Sequence, residues 1–118
     1  MKVKNADLNL IINFYNKLMN HSLANLDKAE LVADDYLKLE EAGKKVTLLT
    51  KKIQEKFKPK DESDNINKLQ FEANQEYFKL LEKTTEIESI TISKKDLKEL
   101  EVTPLEILTL KKYNILTD

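Results

Sequence analysis

The stretch NLDKAELVADDYLKLEEAGKKVTLLTKKIQEKFKP, residues 25–59, decides how the rest of the chain is read. Ala29, Val32, Ala33, Tyr36, Leu39, Gly43, Val46, Leu49 (or Thr50), Ile53 and Phe57 follow one another at steps of three or four, the spacing of one helix face. Asn25 or Asp27 can cap the start, since a short polar side chain accepts from the free N–H groups of a first turn. Pro59 stops the run because it has no N–H to donate. The spacing therefore predicts a helix over about 26–57, the longest element of the protein. Gly43, the only glycine, stands inside it at a cost of about 1 kcal/mol relative to alanine, which implies a close helix contact or a bend. A phosphate-cradling loop is excluded, because it needs several glycines between a strand and a helix.

Working outward, KPKDESD (58–64) is polar turn material with Ser63 and Asp64 as capping residues. A third helix is expected over about 64–84, with Ile66, Leu69, Ala73, Tyr77, Leu80 and Leu81 on one face and Phe71 and Phe78 on an adjoining stripe. So short a connection favours an antiparallel helical hairpin. Lys44, Lys45, Lys51, Lys52, Lys56, Lys58 and Lys60 stand against the single Glu55. The following segment carries Glu72, Glu76, Glu82, Glu86 and Glu88, so pairs across the hairpin are expected to help choose its register.

Upstream, Leu8, Ile11, Ile12, Tyr15, Leu18 and Met19 form the stripe of an N-terminal helix over about 5–20, with Asn5 or Asp7 as cap and Asn20-His21-Ser22 as its close. Leu10 and Phe14 lie off that stripe, one turn apart, and mark a further helix contact or a protein interface. Downstream, EIESITI (86–92) is a short extended or β segment, free to pair with Glu101-Val102. Ser93 and Thr103 are N-cap signals, each followed three residues later by an acid, Asp96 and Glu106, and Pro104 sits where a first helical residue belongs. Short helices over about 94–100 and 104–112 follow, with Leu97, Leu100, Ile107, Leu108 and Leu110 facing inward. The reading is a mainly α protein, a single domain over 1–118: an N-terminal helix, a long antiparallel hairpin, a short β segment and small capped helices.

Composition narrows the chemistry. With 20 basic and 21 acidic residues there is no whole-protein field to gather nucleic acid or coat an anionic membrane. Every basic residue is lysine, so bidentate arginine grips on phosphate or guanine are excluded. Absent cysteine removes disulfides, thiolate zinc sites and cysteine nucleophiles, and fits a reducing cytoplasm. His21 is the only histidine, too few for a histidine-based triad or metal cluster. Capping accounts for Ser93, Asp96, Thr103 and Glu106 without catalysis. The sequence is thus read as non-enzymatic, with no catalytic or metal residue and no cofactor. No apolar run approaches the roughly 18 residues of a membrane span and the N-terminus lacks a signal-peptide pattern, so a soluble protein without a membrane partner is expected. The lysine cluster has two accounts. It can follow a phosphate backbone, or it can be a solvated helix end whose cations suit the helix dipole and face acidic neighbours.

Four segments also resemble one family: KNADLNLIINFYNKLMN (4–20), EKFKPKDE (55–62), NQEYFKLLEKTTEIESI (74–90) and ISKKDLKELEVTPLEIL (92–108). Their order and patterns are similar to a family of small proteins of tailed phages and prophages that has no assigned activity. The resemblance spans nearly the whole chain and offers no functional residues to carry over. The family often has a longer, glycine-containing insertion where KPKDESDNINK (58–68) here runs straight into the third helix. The resemblance implies a phage protein that works by binding in the host bacterial cytoplasm. The first reading is an inhibitor of host defence of the anti-CRISPR type, contacting the protein of an RNA-guided nuclease or its guide RNA. The second is a virion or assembly component whose Leu10, Phe14, Phe71 and Phe78 make subunit contacts in a homo-oligomer. The third is a ligand-sequestering oligomer.

Overall fold

A computed structural model describes residues 1–23 and 25–117. The protein is mainly helical, in the order β1 (Lys2–Lys4), α1 (Asn5–Met19), α2 (Leu26–Lys56), α3 (Ile66–Glu82), β2 (Thr84–Glu86), β3 (Ile92–Ser93), a 3-10 turn (Lys94–Leu97), α4 (Pro104–Lys112) and β4 (Leu116–Thr117).

The core is built around α1. Leu8, Ile11, Phe14, Tyr15 and Leu18 are buried among Val3, Val32, Leu39, Ile87, Ile90, Ile92, Leu110 and Ile115. Helices α2, α3 and α4 all pack against α1, so two of its stripes are covered instead of one. That corrects the reading of Phe14 as an interface residue: it is 0% exposed and meets Tyr15 edge-on at 5.9 Å. Leu10 is half-buried, while Met19 on the expected inner stripe is exposed. Neither Asn5 nor Asp7 caps α1, because the chain enters that helix directly from β1 and the Asn5 N–H is bonded to Lys83 O at 2.9 Å. The Asn5 amide instead donates to Leu80 O at 2.7 Å and accepts from the Thr85 hydroxyl, tying the start of α1 to the end of α3.

The expected extended segment over 86–92 divides into two strands with different partners. β2 pairs antiparallel with β1, Val3 opposite Thr85, and β3 pairs parallel with β4, Ile92 opposite Leu116. Pairing with Glu101-Val102 does not occur. Asn114, at φ 57°, turns the chain after α4 so that Ile115 is inserted into the core and accepts from the Ile92 N–H at 2.8 Å. The short helix expected over 94–100 ends after one 3-10 turn, and Glu99 lies just beyond it in the left-handed region at φ 67°. In α4 the capping box is complete: Glu106 N–H donates to the Thr103 hydroxyl at 3.2 Å and Thr103 N–H to the Glu106 carboxylate at 3.0 Å. Leu110 faces inward, whereas Leu108 is exposed.

The hairpin α2–α3 forms an arm. At 1.5 Å per residue α2 is about 46 Å long, yet its buried residues, Val32, Asp35 and Leu39, all lie in its first half. On α3 only Leu80, near the body, is buried. The protein is accordingly elongated, 60 × 25 × 23 Å. Asn25 caps α2 by accepting from Lys28 N–H at 2.9 Å. Asn65 caps α3, not Ser63 or Asp64; Asp64 accepts from Lys60 and Asp61 N–H at 2.8 and 3.0 Å and closes the turn itself. Gly43 is a close helix contact, since a Cβ there would lie 2.8 Å from Ile12 Cδ1 of α1.

Candidate functional site

The distal half of the arm carries the lysine cluster. Taking 100° per residue, Lys44 and Lys51 fall on one side of the exposed Leu48, and Lys45, Lys52 and Lys56 on the other. The Lys44 row lies opposite the half-buried side of α2, Val46, Leu49 and Ile53, whereas the Lys45 row borders that side next to Leu49. Within a row, residues seven apart are separated by about 10 Å along the axis. Lys58 and Lys60 extend the charge into the turn, and all seven lysines are exposed.

Of the acidic residues expected to face them, four are paired elsewhere, and Glu72, half-buried on α3, makes no ion pair among the described residues. Glu76 sits beside Lys79 of its own helix, Glu82 pairs with Lys4 at 3.3 Å, Glu86 with the Met1 ammonium at 3.1 Å and Glu88 with Lys38 at 2.9 Å. These partners lie on α3 itself or toward the body. The expectation that ion pairs across the hairpin set its register is therefore corrected; the apolar stripes carry the contact. Lys44 reaches Glu40 of its own helix at 3.7 Å and Lys56 lies 5.2 Å above the Phe57 ring. Among the described residues, Lys45, Lys51, Lys52, Lys58 and Lys60 make no ion pair.

Beside one lysine row runs an open groove of about 770 Å³ between the three helices, lined by Leu8 and Ile12 of α1, Gly43, Val46 and Thr47 of α2 and Leu81 of α3. Lys44 and Lys51 stand at its edge. Gly43, in its wall, lets α1 and α2 approach closely. Phe71 and Phe78 stand on the outer side of α3, 64% and 71% exposed.

The capping residues hold the C-terminal segment to the body. Ser93 accepts from Lys95 N–H at 3.3 Å, Asp96 pairs with Lys28 at 2.6 Å, and Glu106 pairs with Lys17 at 2.6 Å. Asp96 thus has an ionic partner on the first turn of α2, which spacing alone did not suggest. Burial pushes the Glu106 carboxyl up, but the Lys17 ammonium and the bonds from Thr103 outweigh it and hold the group below the ordinary carboxylate range. Asp7 behaves likewise: burial opposes, and Tyr113 and Lys112 prevail.

The sequence reading placed Tyr15 on the inner stripe of α1 but did not place Asp35 inside. Asp35 is 3% exposed and its Oδ2 has no hydrogen-bond partner; the Tyr15 hydroxyl, 0% exposed, has none either. Burial pushes the Asp35 carboxyl up, an effect that nearby Lys38 reduces and Asp34 reinforces. Burial also pushes Tyr15 up, and Asp35 adds to it. Among the described residues no three His, Asp or Glu side chains gather as a metal site, and no helix is long and apolar enough to cross a membrane.

Comparisons of the chain with protein-family models, with curated proteins and with solved structures found no match.

Proposed function

We propose that this is a non-enzymatic phage-encoded protein that binds a host macromolecule in the bacterial cytoplasm. Its target is an RNA-protein machine of host defence, of the RNA-guided nuclease type, and the lysine face of the arm is laid along exposed RNA. One observation carries the reading: the lysines stand together on an arm that extends from the core, and five of them, Lys45, Lys51, Lys52, Lys58 and Lys60, make no ion pair among the described residues. Against the competing account, a solvated helix end facing acidic neighbours, stands the lack of an ion pair between α3 and these lysines among the described residues. In its favour are the Lys44–Glu40 contact at 3.7 Å and the placement of Lys56 in the last turn of the helix. Without arginine or a row of aromatic side chains on that face, the contact is with phosphates and lacks base readout. The sequence resemblance to phage proteins supplies the class of target.

The test is affinity capture from a host that carries RNA-guided nucleases, using wild type and the variant in which Lys44, Lys45, Lys51 and Lys52 are all changed to glutamate. The expected result is recovery of a ribonucleoprotein by wild type alone, with the variant losing both capture and inhibition. Equal inhibition by the variant would overturn the lysine face as the site. A second reading, a component of the virion head, neck or tail, draws on the exposed Phe71 and Phe78. A gene placed among capsid and tail genes favours it.

A further inference from the structure

Phe71 and Phe78 are seven residues apart, so they share one line along α3, opposite the side that carries Leu69, Ala73 and Leu80 toward the body. Two rows flank that line. One is Asn67, Asn74 and Leu81, and the other is Lys68, Gln75 and Glu82, each with the same spacing of seven. The two rings border a notch whose other walls are Asn74, Gln75 and Lys79, and Leu81, 41% exposed, extends the apolar line toward the body.

We propose that α3 is the contact surface of a homodimer, in which two copies lay this helix face to face and antiparallel about a two-fold axis beside Gln75. The charges choose both the partner and the direction. With Gln75 of each copy on the axis, Lys68 of one chain stands opposite Glu82 of the other, and Glu82 opposite Lys68, so a single row complements itself twice. Phe78 of each copy enters the notch over Asn74 of the other, and Phe71 meets Leu81. Glu82 can take this role alongside its pair with Lys4, which occupies only Oε2, and the side chain is 66% exposed. A parallel pair would set Lys68 against Gln70 and Tyr77, with no opposite charge. Spanning about 25 Å of helix, the contact falls short of the roughly 800 Å² per partner of a standard stable interface, so the dimer is reversible. It does not depend on what the lysine face binds, because those lysines belong to α2 and point elsewhere.

Sedimentation equilibrium of the full chain over about 5–500 µM tests the assignment. Wild type is expected to rise from 13.7 kDa toward twice that mass. Phe71→Ser with Phe78→Ser, both at exposed positions, is expected to weaken association at least about tenfold while leaving the circular dichroism spectrum unchanged. Lys68→Glu alone and Glu82→Lys alone are each expected to associate more weakly than wild type, and an equimolar mixture of the two to associate again. That recovery arises only in the antiparallel register. A wild type that stays at 13.7 kDa throughout, a dimer indifferent to the serine changes, or a mixture no tighter than its components would each overturn the proposal.

Discussion

Replacing Asp35 by asparagine should stabilise the protein at neutral pH, and by an amount that depends on pH in a defined direction. Asp35 lies in the joint between α1 and α2, 3% exposed, with Oδ2 unbonded and the equally unbonded Tyr15 hydroxyl in the same joint. Its folded pKa is raised by burial from an unfolded value near 3.8. Below that value both states hold the proton and the carboxyl is neutral. As pH rises through the window above it, the unfolded chain ionises first, the folded state binds more protons, and stability falls until the folded group has ionised as well. The penalty therefore grows as pH rises above the acid range. Leaving a buried polar group unsatisfied costs about 1–3 kcal/mol, and Lys38, itself engaged with Glu88 at 2.9 Å, offsets part of it. The expected gain for Asp35→Asn is therefore about 1 kcal/mol at pH 7, or roughly 3–6 °C in Tm for a chain of this size. Urea unfolding of both proteins, followed by circular dichroism between pH 3 and pH 8, provides the check. The difference should shrink toward zero at the acid end. A variant less stable than wild type by the same amount at every pH would refute the reasoning, since that would make Asp35 a packing group and not an uncompensated charge.

Other consequences follow from burial and capping. Phe14→Ala should cost about 3–5 kcal/mol, whereas Phe71→Ala on the outer side of the arm should change unfolding free energy by less than about 0.5 kcal/mol; the contrast in urea midpoints separates core from surface. Thr103→Ala removes half of the capping box and should cost about 1 kcal/mol, read as a fall in Tm. Gly43→Ala sets a helix gain of about 1 kcal/mol against a close approach to the Ile12 side-chain end, which borders the open groove and can turn into it. It should be nearly neutral by itself and stabilising in an Ile12→Val background, as a urea double-mutant cycle would show.

The helices were readable because their signals are local. The three-and-four spacing of Val32, Leu39 and Val46, the cap at Asn25 and the Thr103-Pro104-x-Glu106 run need no knowledge of the rest of the chain. Phe14 was left between a further helix contact and an interface because the number of buried stripes depends on how many neighbours a helix has, and α1 has three. β1 escaped for a related reason. Lys2–Lys4 is three residues long and its partner lies some eighty residues away, so only the closed fold makes it a strand. Asp35 gave no signal, because a second acid after Asp34 looks like an exposed pair until the turn of α2 puts it inside. The lysine cluster was visible as composition. That most of its charges find no ion-pair partner was not, because matching depends on which side of α2 meets α3.

The claim that matters most for function is that this lysine face binds phosphate. It is tested most directly by the affinity of the protein for single-stranded RNA as a function of salt. Each lysine that releases a counterion contributes about 0.7 to the slope of log affinity against log salt on a single strand. Changing Lys44, Lys45, Lys51 and Lys52 to glutamate should therefore lower the magnitude of that slope by about 3 and weaken binding without altering the Tm. A wild-type affinity that does not vary with salt, or a variant with the same slope, would contradict the account.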